Sequence, residues 1–164
     1  CQGFSHAGKR LIDDPRNFLF KEFVEIVKQV KPKVVVLENV EGILTMNDGK
    51  SFEGIKESFR ELGYKLEGKK LLAVKYGVPQ KRKRVVMIGL LKGNPENCFP
   101  KEIITDEKKY NTVRGAIENL PKIEVNGGEN VIKTKIKPKN PYQQLLSGDI
   151  SIMEYEKKLL KLRT

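Results

Sequence analysis

Nowhere in its 164 residues does the chain string together the ~18 apolar residues that a membrane span needs. No apolar segment resembling a signal peptide stands at its start either. Cysteine is scarce: Cys1 and Cys98 can pair in principle, but two thiols make no disulfide framework. That scarcity favours a reducing, cytoplasmic setting. Histidine is scarcer still, with His6 alone, and no repeated Cys/His spacing suggests a metal site. Acidic residues are outnumbered, with 21 Asp and Glu against 32 Lys and Arg and a net charge of +11. Such a balance suits a polyanionic partner through counterion release, or simply a soluble basic surface.

What is present is enough for one domain with a real core, or two small lobes. Residues 1–13 are small, polar and glycine-containing, and read as a loop. In DDPRN, Asp14 can cap a helix whose first position suits Pro15. Phe20, Phe23, Val24, Val27 and Val30 follow at helical spacing, and Pro32 ends the helix. KVVVLEN then reads as a buried strand, the rhythm of an α/β sheet, with Glu38 and Asn39 at its C-terminal end.

A second amphipathic helix is predicted over SFEGIKESFRELGYK, with Phe52, Ile55, Phe59 and Leu62 on one stripe and Gly63 as its cap. Residues 64–76 are strand-like, with Gly68 marking a turn or an irregularity, and RVVMIGLL is a clear apolar strand. KYGVPQKRK connects the two. Beyond Gly93 prolines interrupt the chain, VRGAIENL reads as a short helix, and IMEYEKKLLKL as an amphipathic one. These changes place a boundary near residue 94.

Several side chains can do chemistry. Positive charge nearby can lower the pKa of the Cys1 thiol, although a first-position cysteine is also compatible with a harmless thiol. Burial at the end of an apolar strand would raise the pKa of Glu38 and suit it to proton handling; a structural carboxylate is the alternative. Arg82 and Arg84 alternate in an extended segment and so share a face, with Gln80 on the same side. Charge alone equally allows a solvated basic loop there.

These segments, taken in order, resemble the DNA cytosine-5 methyltransferase family. CQGFS resembles its nucleophile motif and DDPRNFLFKEF the segment that follows it. ENV at 38–40 resembles the acidic motif, and QKRKR at 80–84 the Gln-x-Arg-x-Arg pattern. TVRGAIENLP and NPYQQLLSGD resemble early target-recognition sequence. The resemblance implies an α/β fold: a partial Rossmann-like methyltransferase sheet over residues 1–94, and the start of a small, irregular target-recognition region over 95–164.

It implies further that Cys1 attacks C6 of a cytosine flipped out of double-stranded DNA, while Glu38 acts at N3. Arg84 would meet the cytosine carbonyl, and Arg82 would hold the loop, the base or nearby backbone. Asn39 and Gln80 would support that arrangement, Gln2 and Ser5 would meet the DNA, and Leu19 would border the cofactor, S-adenosylmethionine. No metal is implied. The family's Gly-rich cofactor motif is not among these residues: GLLKG and NGG do not follow a strand as an opening βα turn. The expectation is therefore a fragment or split subunit that needs a complementary N-terminal segment. A noncatalytic DNA-binding or assembly module, or a related enzyme acting on RNA, are the rival readings.

Overall fold

The computed structural model describes residues 19–121 and 137–161. They fall into two compact units. One holds the described residues up to Leu72 together with Arg82–Lys101; the other holds Ala73–Lys81 and the described residues from Glu102 onward. The expected helix start at Asp14 and Pro15, and the predicted site residues Cys1, Gln2 and Ser5, lie outside the described residues, as does His6.

In the first unit, helix α1 (Leu19–Val30) is followed by strand β1 (Val34–Asn39), helix α2 (Lys50–Glu61), strand β2 (Lys65–Leu72) and strand β3 (Lys83–Leu90). The sheet order is β1-β3-β2, and both pairings are antiparallel. β1 and β2 thus run the same way, joined by a crossover through α2, and β3 is inserted between them in the opposite sense. This is the α/β arrangement expected of a partial Rossmann-like sheet.

The expected apolar stripe of α1 packs through Phe20, Phe23, Val24 and Val27. Val30, the last residue of the helix, is instead exposed. α2 buries Ile55 and Phe59, and the chain leaves it through Gly63 at φ 85°, a conformation that favours glycine. Phe59 is fully buried and lies 6.1 Å, centroid to centroid, from both Phe23 and Tyr64. Phe59→Ala should therefore remove about 3–5 kcal/mol of stability. Urea unfolding followed by circular dichroism checks this, and a loss below about 1 kcal/mol would mean that the ring does not anchor this core.

Two glycines show why the strands take this sequence. Gly89 pairs directly with Val35 on one side and Leu66 on the other. A Cβ there would come within 2.5 Å of Val35 and 2.9 Å of Leu66, so only hydrogen fits between the flanking side chains. Gly68 is neither the turn nor the irregularity expected. It sits within β2 opposite Met87, and the Phe52 ring occupies the place of its missing side chain, 2.8 Å from an ideal Cβ. The strand ends at Leu72 rather than at residue 76, because Ala73–Tyr76 form a 3₁₀ turn.

The VVV run of β1 is expected to be buried, and the structure corrects this for one face. Val35 and Asn39 are buried, whereas Val34 and Val36 are 51% and 60% exposed. Alternate residues of a strand face opposite ways, and the helices cover one side. Within the described residues β1 is also an edge strand.

The second unit contains short helices α3 (Val113–Ile117) and α4 (Pro141–Leu146), and α5 (Ile152–Lys161). Thr112 and Asn140 cap α3 and α4, accepting from the amides of Gly115 and Gln143. The buried Gln143 fastens the two helices: its Nε2 donates to the Gly115 carbonyl at 2.8 Å, and its Oε1 accepts from the Lys139 amide at 2.7 Å. The Asn140 side chain donates to the same Gly115 carbonyl at 2.9 Å. The two predicted recognition segments, TVRGAIENLP and NPYQQLLSGD, thus meet through part-buried hydrogen bonds from side-chain amides. No helix among the described residues is long and apolar enough to cross a membrane.

Candidate active site

β1 and β3 bring together two residues that are far apart in sequence. Their register pairs Glu38 with Val86 and Asn39 with Val85. Arg84 lies two residues from Val86 and so shares its face, which makes Glu38 and Arg84 diagonal cross-strand neighbours. Arg84 Nε meets Glu38 Oε1 at 2.7 Å, while its Nη1 donates to the Lys83 carbonyl at 2.8 Å. The guanidinium is thus held at two points.

The Glu38 side chain is 57% exposed and that of Arg84 24%. Among the described residues, the burial expected to act on Glu38 is therefore absent, because the residue points from the face of β1 that they leave uncovered, at the edge of the sheet. An ion pair this open contributes little to stability, typically about 0–1 kcal/mol. What it provides is geometry: a carboxylate that accepts, beside a planar guanidinium that donates.

Asn39 turns to the opposite face, buried, and its Oδ1 accepts from the Val40 amide at 2.9 Å. The side chain so closes off the strand end. A cavity of about 230 Å³ opens here, lined among others by Leu19, Phe23, Glu38, Asn39 and Met87. Three predicted site residues, Leu19, Glu38 and Asn39, thus share one cavity, and Arg84 is tied to it through Glu38. Leu19, 55% exposed at the start of α1, puts an apolar surface at its mouth.

The ladder does not bring in the other two. β3 begins at Lys83, so the exposed Arg82 stands before the first paired residue and the ladder does not orient it. Gln80 is exposed, its amide donates to the Val78 carbonyl at 2.8 Å, and it belongs to the second unit. Among the described residues, no cluster of three or more His, Cys, Asp or Glu side chains is placed to hold a metal ion.

The second unit holds a polar network that sequence reasoning missed. Asn111 Nδ2 donates to the Gly77 carbonyl at 2.7 Å and to the Tyr155 hydroxyl at 2.6 Å. Burial pushes the Tyr155 phenol above its usual pKa, against the opposing effect of the Asn111 bond, so the hydroxyl stays neutral at physiological pH. A lone asparagine in a proline-interrupted stretch carries no periodicity or motif signal. A larger cavity of about 610 Å³ adjoins this network, lined in part by Tyr110, Tyr142 and Tyr155, and it contains none of the predicted site residues.

Comparison with known proteins agrees with the order of the motifs. The family described as C-5 cytosine-specific DNA methylase matches residues 1–160. Type II methyltransferase M1.HphI of Haemophilus parahaemolyticus is 47% identical over 149 residues, which cover 89% of this chain and 38% of that protein. Type II methyltransferase M.DdeI of Desulfomicrobium norvegicum is 43% identical over 152 residues, covering 88% of this chain and 36% of its own length. A crystal structure from E. coli, described as a prophage-encoded DNA modification methyltransferase, superposes with a TM-score of 0.59 at 26% identity. That match covers 88% of this chain and 41% of the solved one. The chain therefore spans well under half the length of these relatives. With residues 1–160 of its 164 matched by that model, the chain belongs to the C-5 cytosine-specific DNA methylase family.

Proposed function

We propose that this chain is the nucleophile-bearing part of an enzyme that methylates C5 of cytosine in DNA. The observation that carries this reading is the Glu38–Arg84 pair, set at 2.7 Å by the β1/β3 register beside the cavity bordered by Leu19. In this reading residues 1–94 are the catalytic part and 95–164 begin target recognition.

The reaction needs the cytosine extruded from the duplex, since C6 is inaccessible within the stack. Cys1, as thiolate, forms a bond to C6. Electron density moves towards N3, where Glu38 supplies or shares a proton, and Arg84 donates to the carbonyl at position 2. C5 becomes nucleophilic and can take a methyl group, which S-adenosylmethionine, when bound, would supply from its sulfonium, the S–CH3 bond breaking to leave the neutral thioether S-adenosylhomocysteine. A base removes the C5 proton, the C6–S bond breaks, and Cys1 leaves as thiolate. Arg82, Asn39 and Gln80 support the base and the loop, Gln2 and Ser5 contact the DNA, and the positive balance offsets its phosphates.

Cofactor binding fits the apolar Leu19 and Phe23 at the cavity, but the volume is too small. About 230 Å³ falls short of the ~300–1,000 Å³ usual for pockets that enclose such molecules. The remaining walls would come from a complementary N-terminal segment. Two further observations support that partner: the edge of β1 that no described strand pairs, and the exposed Val34 and Val36 beside it.

The test supplies the intact enzyme with labelled S-adenosylmethionine and duplex DNA, then digests the product to nucleosides. Label in 5-methylcytosine is expected. DNA binding without transfer would instead make the chain a binding or assembly module, and label confined to RNA would change the substrate.

A further inference from the structure

The loop Ala73–Lys81 connects β2 to β3 in sequence, yet it packs with the second unit. Its attachment there is specific. The amides of Ile103 and Ile104 both donate to the Lys75 carbonyl, at 3.0 and 2.9 Å, and Lys75 Nζ meets Glu102 at 2.9 Å. In the middle of the loop, Gly77 is buried with φ 90°. An ideal Cβ there would lie 3.5–3.8 Å from Ile103, Tyr155 and Asn111, so the backbone itself is seated against them.

Asn111 is the residue that closes this arrangement. Its two amide hydrogens go to the Gly77 carbonyl and to the hydroxyl of Tyr155, which is 1% exposed on α5. Turned the other way, its Oδ1 would face the Gly77 carbonyl, acceptor against acceptor, so the partners dictate the orientation. Three residues after Gly77 comes Gln80, and the chain runs on into Arg82 and Arg84.

We infer that Asn111 is a positioning residue: by holding Gly77 it sets the loop that carries Gln80 and leads into Arg82, coupling the fold of the second unit to the rate of the chemical step. The inference rests on the methyltransferase reading above. A catalytic group displaced by about 1 Å can lose on the order of 100-fold in rate, so one hydrogen bond beside such a loop has leverage.

The test compares Asn111→Asp and Tyr155→Phe in the intact enzyme. Aspartate keeps the shape but sets an acceptor against the Gly77 carbonyl. Phenylalanine keeps the ring and leaves the Gly77 bond in place. Single-turnover methyl transfer should fall roughly 10- to 100-fold in Asn111→Asp, with little change in the dissociation constant for duplex DNA. Tyr155→Phe should fall far less. Should the aspartate variant not fold, Asn111→Ser serves instead, since its hydroxyl is a donor without a repelling charge, and a smaller loss in the same step is expected. Equal losses in the asparagine and tyrosine variants that track their melting temperatures would overturn the inference in favour of a purely structural role. So would a wild-type rate in the asparagine variant. Absence of transfer in the unmutated enzyme would instead sink the methyltransferase reading itself.

Discussion

Cys1→Ala is expected to abolish methyl transfer to duplex DNA, a loss of at least about 10⁴-fold, while leaving DNA binding intact. C5 of an aromatic cytosine is a poor nucleophile, and it becomes reactive only once a bond at C6 breaks the aromaticity. The thiolate is the one group assigned to make that bond. A duplex carrying 5-fluorocytosine sharpens the measurement: fluorine cannot leave as a proton does, so the adduct stalls after methyl transfer. The unmutated enzyme should give a denaturation-resistant protein–DNA complex in the presence of S-adenosylmethionine, and the alanine variant none. A variant that still transferred methyl groups would remove the covalent mechanism from the proposal.

Glu38→Gln is expected to lower the methyl-transfer rate by roughly 10²- to 10⁴-fold, the range of a positioned proton donor. The structure adds a second consequence. The Glu38 carboxylate holds Arg84 Nε at 2.7 Å, so glutamine also weakens the anchor of the guanidinium. Arg84→Ala should be damaging too, and the two losses should not add. In a double-mutant cycle on kcat/KM, the combined variant should be faster than the product of the single effects predicts, with a coupling of about 0.5–3 kcal/mol. Strict additivity would mean that the two residues act separately, and an unchanged rate in Glu38→Gln would end its assignment at N3.

The site was legible in part because its chemistry is clustered. Glu38 and Asn39 follow directly on an apolar strand, and Arg84 opens another, so local pattern placed each at a strand end. Nothing local says that these two ends adjoin. That follows from β3 entering between β1 and β2, a pairing of segments separated by a helix, a strand and a loop. Glu38 proved open rather than buried for a related reason: a β-branched run names a strand, but not which of its faces other elements cover. The role of Gly68 is not legible locally, because a glycine inside a strand and a glycine in a turn look alike until a ring such as that of Phe52 occupies the space above it.

By itself, then, the amino-acid order determined the helices and strands, whose hydrophobic periods are local, and the family, whose ordered motifs together carry far more information than any one of them. Tertiary structure alone decided the sheet order, the Glu38–Arg84 contact and the capture of Ala73–Lys81 by the second unit through Asn111. The division has a physical cause. Side-chain periodicity is set by neighbours a few residues away, whereas register, face coverage and buried hydrogen-bond partners depend on groups that meet only when the chain has closed on itself.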